Sequence, residues 1–437
     1  MNVIFRIASR NLLRHWKRSF AAMLAVAVGV LAISLVRGFV NDLRQFFEDQ
    51  GRSQSMYGDL LLSKQIPPGT PPSMRWKVAL SRDDQALIER VLNGPWGGVQ
   101  FARRLVIGGL VTNGRTTAVF FGMGYDVQAG AALRGARWVW NTVAGVPLHK
   151  AAGERAVVLG RSLAANLGCE SSRPPTFLPD GAIKPEPLTL SCDTSRVQLQ
   201  AMTASGQLNA LTVDVAGLIE PGTRAGSSKT LMTDLHTAQT LADTDAVSMY
   251  SIALRDRTRA RELRAALQDA GKRAGLDLQV KPWRDLPEGG VFRATMALLD
   301  TFSMILVVTV GLIGAAAVFN VLTRTVTERI REIGTLRSIG YRRGQIVRLF
   351  MLEGVLIAIA GCALGLFLAI GAAAVINASG LSFTGGLASA PLPLMIRLVV
   401  GDFAYIVCAT IATAALAALL PSRRAGKINT IEALVHT

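Results

Sequence analysis

Four uninterrupted apolar runs punctuate the chain: Ser19 to Val36, Thr301 to Thr323, Gly354 to about Asn377, and Phe403 to Leu420, none carrying a charged side chain. A helix rising 1.5 Å per residue needs roughly 20 such residues to cross about 30 Å of hydrocarbon. With their flanks, the runs predict four transmembrane helices at 19–37, 295–323, 349–378 and 397–420. Ahead of the first, Arg6, Arg10 and Arg14 recur every four residues while Phe5, Ala8, Leu12 and Trp16 occupy another face. That pattern predicts an interfacial helix over 1–18, held by apolar insertion and anionic lipid.

Residues 38–293 read differently. Strand-like runs occur at 57–63, 155–159, 197–203, 208–218, 246–254 and 277–281. Helices are expected at 81–93, where Ser81 and Asp84 resemble a capping box, at 161–167 with Gly168 as the stop, and at 257–273. Asn113 and Gly114 between Arg104–Val111 and Thr116–Phe121 predict a hairpin with a tight turn of positive φ. The fold class is thus an α-helical membrane protein with four transmembrane helices plus an α+β extracytoplasmic domain, itself expected in two subdomains. A Pro-rich polar stretch at 171–188 reads as a surface loop.

Charge sets the orientation. The chain has 437 residues, half of them apolar, and a net charge of +17. That excess suggests nucleic acid until its position is noted: Lys and Arg crowd the ends of the apolar runs, so no nucleic-acid partner is expected. Arg6 to Arg18 precede the first span, Arg324 to Arg348 lie between the second and third, and Arg423, Arg424 and Lys427 follow the fourth. The opposite loop, 379–396, is uncharged. Basic short loops stay in the cytoplasm. Both termini, the 324–348 loop and the 421–437 tail are therefore expected there. A cleaved signal peptide is the alternative for the first span, but no small-residue cleavage site follows it.

Within the third span, Gly361 and Gly365, with Gly354 nearby, would let another helix backbone approach, although Gly-rich spans also occur without tight association. Asp300, Glu353 and Asp402 near the span ends read as interfacial carboxylates. Cys169 and Cys192 bracket the Pro-rich stretch, and an oxidising compartment favours a disulfide over two free thiols; Cys362 and Cys408 lie in spans and read as packing residues. The histidines lack ligand spacing, so no metal is expected. Gly222 through Lys229 and Thr230 nearly matches a phosphate-binding loop, but Ser228 stands where Gly must precede Lys, and a flexible loop is the better reading.

The informative segment is 326–345. Ile330, Ile333 and Leu336 fall at helical spacing, leaving Glu328, Arg331 and Arg337 for a polar partner. Such a helix between two spans can pass force from a cytosolic protein into the membrane, or it can simply be a basic loop that fixes topology.

At these residues the chain resembles the permease family that includes the macrolide exporter MacB, the lipoprotein-releasing permeases and the cell-division protein FtsX. The specific blocks are Glu328-Arg329 through Glu332-Ile333-Gly334, Arg337 and Gly340 on to Phe350-Met351-Leu352-Glu353; Ala8 to Arg14; and Pro421 to Ala425 followed by Ile431 to Leu434. The resemblance implies a MacB-like periplasmic core domain on a permease subunit of a type VII-like ABC transporter in the inner membrane. This chain would be non-catalytic and bind no cofactor, with ATP and Mg held by a separate ATPase dimer. A second permease copy, identical or related, and a possible periplasmic adaptor complete the implied partners. The substrate class implied is lipophilic: a lipoprotein, a lipid or a hydrophobic small molecule. Glu328, Arg329, Glu332, Gly334, Arg337, Gly340, Arg342 and Arg343 are the coupling residues so implied, the two glycines by allowing close approach or a turn. The alternative within the family is an FtsX-like signalling subunit that regulates a periplasmic hydrolase or senses a toxic compound.

Overall fold

The structure is a computed structural model describing residues 6, 10, 16–65, 78–96, 98–134, 142–151, 155–176, 188–221, 224–285, 289–383 and 392–428. The interfacial helix expected over 1–18 and the block Ile431 to Leu434 fall almost wholly outside these residues.

Helix α1, Trp16–Asp49, is 34 residues long, overruns its apolar stretch by more than three turns and passes into a short π-helical segment, Gln50–Gln54. The next domain opens with β1 (Leu60–Lys64) and α2 (Arg82–Leu92). Helix α2 starts where its capping box requires: Ser81 Oγ accepts from Asp84 N–H and Asp84 Oδ2 accepts from Ser81 N–H. There follow β2 (Val99–Thr112), β3 (Thr117–Tyr125), α3 (Val127–Arg134), β4 (Thr142–Gly145), β5 (Ala156–Gly160) and α4 (Arg161–Asn166). Then come β6 (Cys169–Ser171), β7 (Leu190–Cys192), β8 (Arg196–Met202), β9 (Leu208–Ile219), β10 (Thr230–Asp234), α5 (Leu235–Ala242), β11 (Met249–Leu254), α6 (Ala260–Arg273) and β12 (Leu278–Lys281).

One sheet joins ten of these strands in the order β12-β1-β11-β2-β3-β10-β5-β9-β4, and β8 pairs with both β2 and β9. Strands β2, β3, β10, β5, β9 and β8 therefore close on themselves, each hydrogen-bonded to the next and β8 back to β2. Strand β2 makes this possible by serving two neighbours on one edge: 99–104 pair with β11 and 109–112 with β8. Gly109 sits at the transfer, where a Cβ would lie 1.9 Å from the Gln200 carbonyl oxygen. The two expected subdomains are lobes of this sheet and share one core, which runs from Leu60, Ile88 and Leu278 to Val157, Leu199 and Leu218.

The Asn113-Gly114 turn differs in detail from expectation. Only Gly114 takes a positive φ (86°), while Asn113 Oδ1 accepts from the N–H groups of Arg115 and Thr116, giving a four-residue loop. Cys169 and Cys192 face each other across β6 and β7 and form a disulfide. The near-miss phosphate loop holds one helical turn, Arg224–Ser227, and then enters β10.

The chain returns as α7 (Gly290–Glu328), α8 (Ile330–Ser338), α9 (Arg343–Ser379) and α10 (Val400–Lys427), with a minimal ladder, β13 (Ser382–Phe383) on β14 (Leu392–Pro393), before α10. Helices α1, α7, α9 and α10 are each long and apolar enough to cross a membrane. They pack through Val26, Val30, Val318, Leu322, Ile357 and Ala414, leaving large apolar side chains such as Phe302, Leu312, Phe367 and Leu416 exposed, as a hydrocarbon surround demands. Gly361 and Gly365 face α1 of the same chain, where a Cβ would fall 2.8 Å from Val26 Cβ and 2.6 Å from the Ala27 carbonyl oxygen; Gly354 meets Ala418 and Leu322 in the same way. Helix α10 does not stop before Pro421 but runs on to Lys427. One face of its last turns is buried, with Gly426 against Val347, and this packing offsets the hydrogen bond that proline removes.

Candidate functional site

The site begins with a break. Helix α7 ends at Glu328 because Arg329 leaves helical geometry (φ −109°, ψ 21°), and α8 restarts at Ile330. Helix α8 lasts nine residues and closes at Gly340, whose φ of 107° only glycine adopts without strain. Arg342 N–H then donates to Gln345 Oε1 at 2.8 Å and α9 begins.

What holds α8 in place is a small core of its own. Val326, Ile333, Ile346, Phe350 and Ala425 are buried together, with Leu336, Tyr341 and Ile428 packed against them. Two arginines pin it. Arg329, 9% exposed, closes a two-point contact on Glu332 (2.6 and 2.7 Å), reaches Glu353 at 3.5 Å, and lies 5.7 Å from the Phe350 ring centre. Burial works against the charge of Arg329, but its bond to Glu332 and the field of Glu353 more than offset this, and its pKa is raised. Arg337 donates to the carbonyl oxygens of Gly426 (3.3 Å) and Ile428 (3.2 Å), the unsatisfied end of α10. These contacts tie α8 to α9 through Arg329 and to α10 through Arg337.

The outward side of α8 is different. Arg331, Glu332, Thr335, Ser338, Arg342 and Arg343 are exposed, as is Ile339 at 72%. Arg423, Arg424 and Lys427 at the end of α10 are also exposed. A short amphipathic helix thus packs on the ends of three spans and presents a basic rim with an apolar side chain at its tip.

The FtsX-like permease C-terminal family matches residues 304–430, which contain this site, and the MacB-like periplasmic core domain family matches residues 19–270, more than half of the chain. The chain belongs to the MacB/FtsX-like permease family. It is 36% identical over 143 residues to the macrolide export ATP-binding/permease protein MacB of Shewanella oneidensis, a match covering 33% of this chain and 20% of that protein. It is 32% identical over 123 residues to the ABC transporter permease YknZ of Bacillus subtilis, covering 28% of each. These matches span between a fifth and a third of the relatives' lengths. The extracellular domain of the noncanonic ABC-type transporter YknZ from Gram-positive bacteria aligns with 51% of this chain and 98% of its own, at 12% identity and a TM-score of 0.32.

In this MacB-like permease the eight residues named from sequence divide into two groups. Arg329 and Arg337 turn inward and Gly334 is buried, where they seat α8 on its own chain. Glu328, Glu332, Gly340, Arg342 and Arg343 are exposed, Glu328 in an ion pair with Arg324 at 3.1 Å. Ile339 is exposed although an isoleucine at the end of an apolar stripe reads as core. Glu353, whose place near a span end predicts an interfacial carboxylate, is 3% exposed beside Arg329. Asp300 and Asp402 do pair near the span ends, with Arg44 at 2.9 Å and with Asn41 respectively. Cys362 is buried as expected, whereas Cys408 is exposed.

Proposed function

We propose that this chain is the permease subunit of an ABC transporter. It couples ATP hydrolysis by a separate ATPase dimer to movement of the extracytoplasmic domain, which extrudes or releases a lipophilic substrate: a lipoprotein, a lipid or a hydrophobic small molecule. The roles of its relatives, macrolide export and ABC permease, support this reading. The observation that carries it is α8: held on its inner side by Arg329 and Arg337, it offers Ile339 and the rim of Arg331, Arg342 and Arg343 to a partner. A partner fitting that surface has an apolar pocket edged by carboxylates opposite the arginines and by an N–H or cation opposite Glu332, because charge complementarity orients an encounter and a buried apolar anchor holds it.

In this reading the 324–348 loop and both termini lie in the cytoplasm of an inner membrane, since short basic loops remain there, and a second permease copy completes the complex. The test is reconstitution with the ABC-type ATPase that co-purifies with the intact complex. The permease is expected to raise ATP turnover, and Ile339→Asp to abolish that stimulation without disturbing insertion. Failure of the wild-type chain to bind or stimulate the ATPase refutes the proposal. Cysteine labelling at Ser338 from the same side as residues of β8 would refute the orientation.

A further inference from the structure

Arg329 holds two carboxylates from two elements. Its fork is committed to Glu332, on the outward side of α8 with half its side chain exposed, through contacts of 2.6 and 2.7 Å. Its remaining amino group reaches Glu353 at 3.5 Å, and Glu353 is the last residue before the apolar run of the third span. The three charges meet beside Ile333, Ile346 and Phe350, where screening by water is weak and the Coulomb energy changes steeply with distance. Arg is suited to such sharing, since its planar fork can bond one carboxylate with two parallel N–H groups and still present a third; the three N–H groups of a Lys ammonium diverge from one nitrogen and cannot form that parallel pair.

Glu332 is the member of this group that a docking protein can touch. A cation or N–H offered to it from outside competes for the oxygens that hold Arg329, and the guanidinium then gains by closing on Glu353. Departure of the docked group reverses the shift. A movement of under 1 Å in one side chain would thus change how tightly α8 is tied to α9, in a core that is close-packed and passes displacement on.

We propose that Arg329 is a positioning residue that relays the docking state of α8 to the third transmembrane helix by dividing its contact between Glu332 and Glu353. This rests on the coupling role proposed above. The pair Arg329 and Glu353 therefore transmits, while Ile339 and the exposed arginines only bind.

The experiment uses the full permease reconstituted with its ATPase in lipid vesicles. Glu353→Gln keeps the shape and removes the charge; Arg329→Lys keeps the charge and removes the fork. Both are expected to co-purify with the ATPase at wild-type stoichiometry and to melt near the wild type. Both should lower the stimulation of ATP turnover by roughly fivefold or more, the lower end of coupling between sites. Wild-type stimulation in either assembled variant would overturn the relay. Loss of assembly in both would assign the pair to folding alone and overturn it equally. Absence of stimulation by the wild-type protein would instead reject the parent reading, and is seen before any variant is made.

Discussion

Three glycines of α9 make a controlled test of how the spans pack. Substituting alanine at Gly365 places a Cβ 2.6 Å from the Ala27 carbonyl oxygen and 2.8 Å from Val30 Cβ, whereas ordinary contact begins at 3.4 Å. Helix α1 or α9 must yield by several tenths of an ångström, against a backbone atom that cannot rotate away, and overpacking of this kind costs about 1–3 kcal/mol. Alanine also favours the helix over glycine by about 1 kcal/mol, which reduces the net loss to about 2 kcal/mol at most. At Gly361 the nearest atoms are Val26 Cβ at 2.8 Å and the Met23 carbonyl oxygen at 3.0 Å, so the loss is smaller. At Gly371 nothing lies within 4 Å, and only the helix gain of about 1 kcal/mol remains. Thermal unfolding of the purified protein in detergent, followed by tryptophan fluorescence, should rank G371A at or above the wild type, then G361A, then G365A. A G365A protein as stable as G371A would refute the close approach of α1 and α9.

Replacing Cys169 and Cys192 with serine opens a loop whose ends are 23 residues apart; loop entropy alone makes that worth about 3.4 kcal/mol. The urea midpoint of the double variant should match that of the reduced wild type, and equal midpoints for oxidised wild type and variant would contradict it. At α2, burial acts to raise the Asp84 pKa, but Lys64 Nζ at 2.6 Å and the Ser81 bonds win and hold it below 3.8. Its contribution is therefore complete above about pH 4 and is lost as the pH falls through the lower folded value, so D84N should flatten the acid limb of a urea-midpoint profile. S81A should cost about 1 kcal/mol. Reversing Arg342 and Arg343 to glutamate should weaken ATPase association, more at low salt than at high, without moving the melting temperature; salt-independent binding would argue against a charged rim.

The four spans were legible because crossing hydrocarbon is a demand on composition that no tertiary contact relaxes, and Ser19 to Val36 meets it in any surroundings. The caps at Ser81 and Gly168 were legible for a related reason: hydrogen-bonding geometry at a helix end is settled within a few residues. Strand β10 is not legible in the sequence, since Thr230 to Asp234 is short and follows a run of turn formers, and its strand character comes from β3 and β5 on either side. The α8 helix was visible in the spacing of Ile330, Ile333 and Leu336, but spacing cannot say which charged side chains point inward.

Order along the chain determined which segments enter the membrane, where several helices start and stop, and that a short amphipathic helix joins the second and third spans. Each of these depends on neighbours a few residues away. Tertiary structure alone decided that β2 changes partners at Gly109 to close a ring of strands, that Gly361 and Gly365 receive α1 of their own chain, and that Arg329 meets a buried Glu353. The last of these turns on 24 residues of separation and on burial, which sets both the strength of a charge pair and the cost of leaving it unpaired, and burial is a property of the packed molecule.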